Sequence, residues 1–408
     1  MNRSSLHPRR IAWAWQVLGI YLVSRIVATT ALLIARTHQG DSFDGWWPGE
    51  QPPYGVFVAR WWDGWWYEQV ALHGYPSQLP LDELGAVDLN EWAFYPLYPG
   101  IVRGLMELTG GTWIVLAPLV SAVLGAAALL VIYRVVEVGA PRAVAARPGL
   151  PLATVAVFAF FPSAVVLQVA YTESLALLLV ATSLLLLIQR RYEWAMLAVA
   201  LLGFTRAIAL PMAAVIAVHL AVRWWNARAG AEAFGHRDQG RGLLLLVVAG
   251  VSGVLWLGIT ALGTGELDAY FQTQAAWRPG RGSGLFMGWL RLSTFSPVGV
   301  ALAIGAVVGI IALLLSPAGR RLGVELWTWT AVYVLFLATV GDVISSQLRF
   351  LLLAFPLAIA LVGLIPRPRW AARTWTGVLI AGLAVGMVAW VWTVWMQVLL
   401  EITFLKAP

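Results

Sequence analysis

The chain has no cysteine and a single lysine, Lys406, among its 27 basic residues. The missing cysteine excludes disulfide bracing and thiolate metal sites, and it leaves the redox compartment unreadable. Charge is scarce as well: 12% of the 408 residues are charged and 60% are hydrophobic. Several catalytic signatures are missing. The sequence holds no Walker A loop, no HExxH and no GxSxG. It also lacks a DxD pair, because Ser42 and Phe43 separate Asp41 from Asp44. A nucleotide-sugar donor held through a metal is therefore not expected, and neither is a cofactor.

What is present is apolar sequence in long runs, with a mean hydropathy of +0.78. Runs of about 18 or more apolar residues are the mark of spanning helices. The alternating ten-residue segments of an outer-membrane barrel do not occur. The fold class is an all-α polytopic membrane protein, because helices satisfy their own backbone hydrogen bonds in lipid. Eleven spans are expected, at 11–35, 112–138, 150–168, 173–189, 194–205, 207–222, 243–264, 297–315, 324–340, 350–365 and 374–399. The first, behind "MNRSSLHPRR", reads as an uncleaved signal anchor. No repeat or soluble domain interrupts residues 1–408, which read as a single integral membrane domain.

Arginine sets the expected orientation. The arginines at 3, 9 and 10, at 134, 142 and 147, at 190 and 191, at 223, 228, 237 and 241, at 320 and 321, and at 367, 369 and 373 all fall on one side if 194–222 crosses twice. That crossing breaks near Arg206 and Pro211. The positive-inside rule then places the N-terminus in the cytoplasm of a multi-pass plasma-membrane (inner-membrane) protein. The net charge of +7 thus reads as topology and lipid headgroup contact, with no nucleic acid as partner. Two outer loops follow, 36–111 and 265–296. The first carries an outer-face juxtamembrane or re-entrant helix at 95–108. Nine of the 20 acids lie between residues 36 and 95. A hydrated loop accounts for most of them, and an extracytoplasmic binding or catalytic face accounts for an excess.

The stretch "FVARWWDGWWYEQVALHGYP" sets Asp63 among indoles. As a helix from about 61 to 73 it would lie at the headgroup level, where tryptophan prefers to sit. An indole rim lowers the local dielectric, which suits Asp63 to general-base work. The competing reading makes Asp63 the N-cap of a helix starting at Gly64. Trp62, Tyr67, His73 and Tyr75 flank it as candidate substrate contacts, and "NEWAFYPLYPG" adds Glu91 and Tyr95. Glu173 opens an apolar run, and Arg206 interrupts another. A charge at such depth faces a cavity or a partner. Arg206 is either a phosphate ligand or one half of an ion pair with Glu173. Arg349, with Gln347 two residues earlier, is an outer-side arginine against the positive-inside trend. It is a ligand residue or a snorkelling anchor. In the second outer loop, Asp268, Tyr270, Trp277, Arg278, Arg281 and Arg291 form a weaker candidate surface for an anionic or sugar-bearing acceptor.

Five elements resemble, in order, those of the GPI mannosyltransferase II (PIG-V) family. They are "RWWDGWWYEQVALHGY", "NEWAFYPLYP", "FFPSAVVLQVAYTESL", "GFTRAIAL" and "SSQLRFL", over residues 57–352. The chain departs from the family in an extra tryptophan between Arg60 and Asp63 and in "TRAIA" where the family has RSNG. The resemblance implies a GT-C glycosyltransferase fold with an extracytoplasmic active site. It implies transfer of mannose, with inversion, from a polyprenyl-phosphate donor to a glycolipid or glycan acceptor. Asp63 takes the position of the catalytic base, and Arg206, Arg349 and Gln347 are the expected partners of the donor phosphate. The bias to arginine over lysine suggests a GC-rich bacterial member, for which the acceptor is open. A lipid or small-molecule transporter or flippase, or a polyprenyl-linked glycan ligase, is the alternative.

Overall fold

A computed structural model describes residues 9–40, 46–277, 286, 289, 297–341 and 346–395. Asp41, Asp44, Arg278, Arg281, Arg291 and Arg3 lie outside the described residues. Within them the apolar runs fold as helices, and the only extended pairing is an isolated bridge between Leu81 and Val87. The first long helix, α1 (Arg9–Arg36), is followed by two short ones, α2 (Tyr54–Arg60) and α3 (Asp63–His73). Then come α4 (Leu97–Thr109), α5 (Trp113–Gly139), α6 (Pro141–Ala146) and α7 (Leu150–Ala159), the last continued by a 3-10 segment, Pro162–Gln168. Next are α8 (Glu173–Ile188), α9 (Tyr192–Gly203), α10 (Ala209–Arg228), α11 (His236–Thr264) and α12 (Ala269–Ala276). The last are α13 (Pro297–Leu315), α14 (Val324–Val340), α15 (Ser346–Phe350), α16 (Pro356–Gly363) and α17 (Arg369–Val394). One core runs through the molecule from Val17 to Trp395, with a small aromatic satellite around Trp92 and Trp256.

Each expected span lies on a helix, but the count of eleven crossings does not follow from helix length. Among the described residues only α1, α5, α11 and α17 are long and apolar enough to cross a membrane alone. Two bent helix pairs are long and apolar enough if each pair is one span, which would make six. The 150–168 run turns by 82° between Ala159 and Pro162, and the 350–365 run starts at Ser346 and turns by 77° before Pro356. Proline has no N–H to continue the ladder and its ring clashes with the preceding turn, so both runs break at proline. The 194–222 run breaks at Phe204–Ile208, with Arg206 in the gap. The expected helix at 95–108 is α4, packed between α3 and α5.

The helix expected at about 61–73 is α3, which starts two residues later, at Asp63. Before it the chain turns a corner between α2 and α3, with Trp62 at φ +51°. The carbonyls that would extend α2 are taken elsewhere. Ala170 N–H donates to Val58, the Trp113 indole to Ala59 and the Tyr171 hydroxyl to Trp61. These tertiary bonds compete successfully with the helical ladder and place Asp63 at the first position of α3.

The arginine loops gather at the far end of the helices from Asp63. There Glu232 pairs with Arg190 (3.0 Å) and Arg223 (2.6 Å), and Arg241 pairs with Glu193 (2.7 Å). Glu173 opens α8 and Arg190 follows its C-terminus. At 1.5 Å per residue the two ends stand roughly 24 Å apart.

Candidate active site

Four charged side chains from four separate segments meet where α3 and α8 begin. Asp63 reaches Arg349 on α15, with Oδ2 2.7 Å from Nη1. The other edge of the same guanidinium faces Glu173, with Nε 3.2 Å from Oε1. Arg206, in the gap between α9 and α10, donates from Nη1 to Glu173 Oε1 (2.5 Å) and to Thr172 Oγ1 (3.3 Å). Tyr67 lies one turn after Asp63 and hydrogen-bonds the same Thr172 hydroxyl at 3.1 Å. Aromatic rings floor the cluster. Arg349 lies over Tyr171 and Phe350, and Arg206 over the other reach of Phe350 (4.6 Å).

The charges balance: two carboxylates and two guanidiniums. Their exposure does not. Glu173 and Arg349 are sealed, at 1% and 4%, whereas the Asp63 and Arg206 side chains keep 21% and 18% open. Asp63 Oδ2 is committed to Arg349, so Oδ1 is the oxygen free to accept a proton. Among the described residues Nε and Nη2 of Arg206 have no hydrogen-bond partner, so they are free to meet an anion. The contacts around Arg349 are ion pairs rather than aligned hydrogen bonds. Its Nε and Nη1, and Oε2 of Glu173, are buried with no partner in line. Distance sets the Coulomb attraction even where the N–H vectors miss, so the pairing stands while hydrogen-bonding capacity is left over.

Asp63 is the first helical residue of α3, and no side chain caps that helix. Glycine follows it for a steric reason: a Cβ on Gly64 would run into the carbonyl of Ala59. Gly64→Ala is therefore expected to cost about 1–3 kcal/mol through overpacking. A fall in the thermal midpoint of the purified protein would show it, and an unchanged midpoint would place the α2–α3 corner elsewhere.

The other sequence candidates have packing partners of their own. Trp62 is half-buried in an indole group with Trp46 and Trp61, at centroid distances of 5.4 and 5.6 Å. His73 is exposed at the far end of α3, roughly 15 Å along the axis from Asp63. Tyr75 stacks on Trp92 at 4.5 Å and donates to the Phe94 carbonyl. Tyr95 packs on Trp256 and meets the Tyr270 hydroxyl at 3.4 Å. Both tyrosines belong to the satellite core. Glu91 is half-buried and opens the short 3-10 turn Glu91–Ala93. Gln347 shares α15 with Arg349 and lies against Gly341. Burial is the largest cause raising the phenols of Tyr67, Tyr75 and Tyr95 above their ordinary range, so all three are donors near neutral pH. Among the described residues no three His, Asp or Glu side chains converge as metal ligands do.

Residues that the sequence did not single out are prominent here. Thr172 bridges Tyr67 and Arg206, and Tyr171 lies under Arg349. Arg60 clamps the buried Glu68 through two contacts, 2.6 and 2.8 Å, across the α2–α3 corner. The signal that marked Arg206, a charge inside an apolar run, marks Arg25 equally.

No protein-family model matches the chain, and no curated protein matches it. Among solved structures it is similar to the arabinofuranosyltransferase AftD from Mycobacteria, at 20% identity and a TM-score of 0.46. The match covers 96% of this chain but 27% of that one. So distant a likeness assigns this chain neither a fold family nor an activity.

Proposed function

We propose that this protein is a membrane glycosyltransferase of the GT-C kind. It moves a sugar from a polyprenyl-phosphate donor to a lipid-linked or glycan acceptor, with inversion. The observation that carries the reading is the meeting of Asp63 with Arg349, Glu173 and Arg206 at one end of the helices. That end lies opposite the arginine loops, and the positive-inside rule makes it extracytoplasmic. Mannose as the sugar rests on the five motifs that resemble the PIG-V family.

In the proposed reaction Asp63 Oδ1 accepts the proton of an acceptor hydroxyl. The hydroxyl oxygen forms a bond to the sugar C1 from the face opposite the phosphate. The bond from C1 to the phosphate oxygen breaks, and the electron pair leaves on the polyprenyl phosphate. Charge grows on that phosphate, where the unpaired N–H groups of Arg206 stabilise it most in the transition state. Arg349 holds Asp63 in place and keeps Glu173 compensated.

A second reading, transport of a lipid or small molecule, is favoured by one observation. The bend of the first broken run touches the start of the second, where Ser163 donates to the Leu348 carbonyl at 2.8 Å, next to Arg349. Discontinuous helices meeting at a charged centre are a transporter pattern. One experiment separates the two. Protein in liposomes is given radiolabelled polyprenyl-phosphate-mannose together with a membrane glycolipid extract. Transfer predicts label on a new product and free polyprenyl phosphate. Label that crosses the bilayer still attached to its carrier would mean transport.

A further inference from the structure

Arg25 sits within the first long apolar helix, is 8% exposed, and has no carboxylate partner among the described residues. A buried guanidinium without a counter-charge is costly. Its Nε donates to the Ser24 hydroxyl at 3.3 Å, and its other donors go to backbone. Nη1 donates to the Ala164 carbonyl (2.6 Å) and Nη2 to the Ala159 carbonyl (3.3 Å). Those two carbonyls flank the 82° bend between α7 and the 3-10 segment. A bend strips carbonyls of their helical partners, and an apolar surrounding offers no water to replace them.

Arg25 does not act alone on α1. Tyr21 and Thr29 lie four residues to either side, on the same helix face. Tyr21 donates to the Leu167 carbonyl (3.1 Å), and Thr29 accepts from Gln168 (2.9 Å). One stripe of α1 therefore grips the bent segment along its length. That segment leads directly into Thr172 and Glu173. From its bend Ser163 also holds the Leu348 carbonyl, next to Arg349. Both sealed members of the charged cluster thus hang on the bend that Arg25 braces.

We propose that Arg25 is a positioning residue for the charged cluster: it fixes the bend from which Glu173 and Arg349 are set against Asp63. The proposal rests on reading that cluster as the active site. Its test uses the cysteine-free sequence as a silent background. Ser174 and Ser183 are both buried on α8, the first beside Glu173 and the second deeper along the helix. Each is changed to cysteine singly, with and without Arg25→Met, and maleimide labelling is followed on purified protein. Arg25→Met is expected to speed labelling of Ser174→Cys at least tenfold and to leave Ser183→Cys protected. In the transfer assay kcat should fall on the order of 10²-fold, the scale for a reacting group about 1 Å out of place. KM should stay within about twofold, as for loss of an effect felt only in the transition state. Arg25→Lys keeps the charge but cannot span two carbonyls with one ammonium, so it should recover part of both effects. If Arg25→Met fails to accumulate, Arg25→Lys alone carries the test, with smaller exposure of Ser174→Cys. Labelling at both cysteines would mean general loosening, and labelling at neither would mean no local role; either result overturns the proposal. Absence of sugar transfer in the unmodified protein would refute the glycosyltransferase reading, and the labelling would still decide the role of Arg25.

Discussion

Asp63→Asn is expected to slow sugar transfer by about 10²- to 10⁴-fold, the usual contribution of one general base. The change is nearly isosteric, so the acceptor and donor sites keep their shape while the proton acceptor is gone. Stability should change far less than activity. Arg349 retains Glu173 as a counter-charge, and Asp63 is 21% exposed, so water compensates part of the lost contact. Asp63→Glu keeps the charge but moves the carboxylate by about one methylene, which should still cost on the order of 10²-fold. Initial rates and thermal midpoints for both variants check this. An Asp63→Asn enzyme with unchanged rate would remove Asp63 from the chemistry.

Arg349→Met should have the larger effect on the fold. It strips the shared cation from two carboxylates, one of which, Glu173, is 1% exposed. Removing one partner of a buried ion pair costs about 3–5 kcal/mol when the remaining charge is stranded; the loss here should fall below that range, because Glu173 keeps Arg206 at 2.5 Å. Glu173→Gln in the same chain should restore part of that loss, with a coupling of about 0.5–3 kcal/mol. Equilibrium unfolding of the two single variants and the double variant measures it. Additive losses would show that Arg349 and Glu173 do not interact as the geometry has them.

The helical architecture was legible because apolar runs, arginine loops and prolines are local signals. Every expected span has a helix on it, and the break at Arg206 is where the charge suggested. The bends at Pro162 and Pro356 and the corner at Trp62 were not legible as such. The α2–α3 corner depends on donors from Trp113, Ala170 and Tyr171, which lie about 50 to 110 residues away in sequence. The grouping of Asp63, Glu173, Arg206 and Arg349 is of the same kind. Each was conspicuous as a charge in the wrong place, while their mutual pairing is a tertiary fact. His73 and Tyr75 follow Asp63 closely in sequence, yet His73 ends α3 at the far end from Asp63 and Tyr75 stacks on Trp92. Arg25 carried the same local signal as Arg206, but its long-range partners are carbonyls, which leave no trace in a sequence.

The central claim is that a carrier phosphate binds at the Asp63 end of the helices, beside Arg206, with the sugar C1 within reach of Asp63. A cryo-EM map of the Asp63→Asn protein with polyprenyl-phosphate-mannose bound tests it most directly. The account predicts phosphate density within hydrogen-bonding distance of the Arg206 guanidinium and the sugar between it and residue 63. Phosphate density among Arg190, Arg223 and Arg241, at the opposite end, would contradict it.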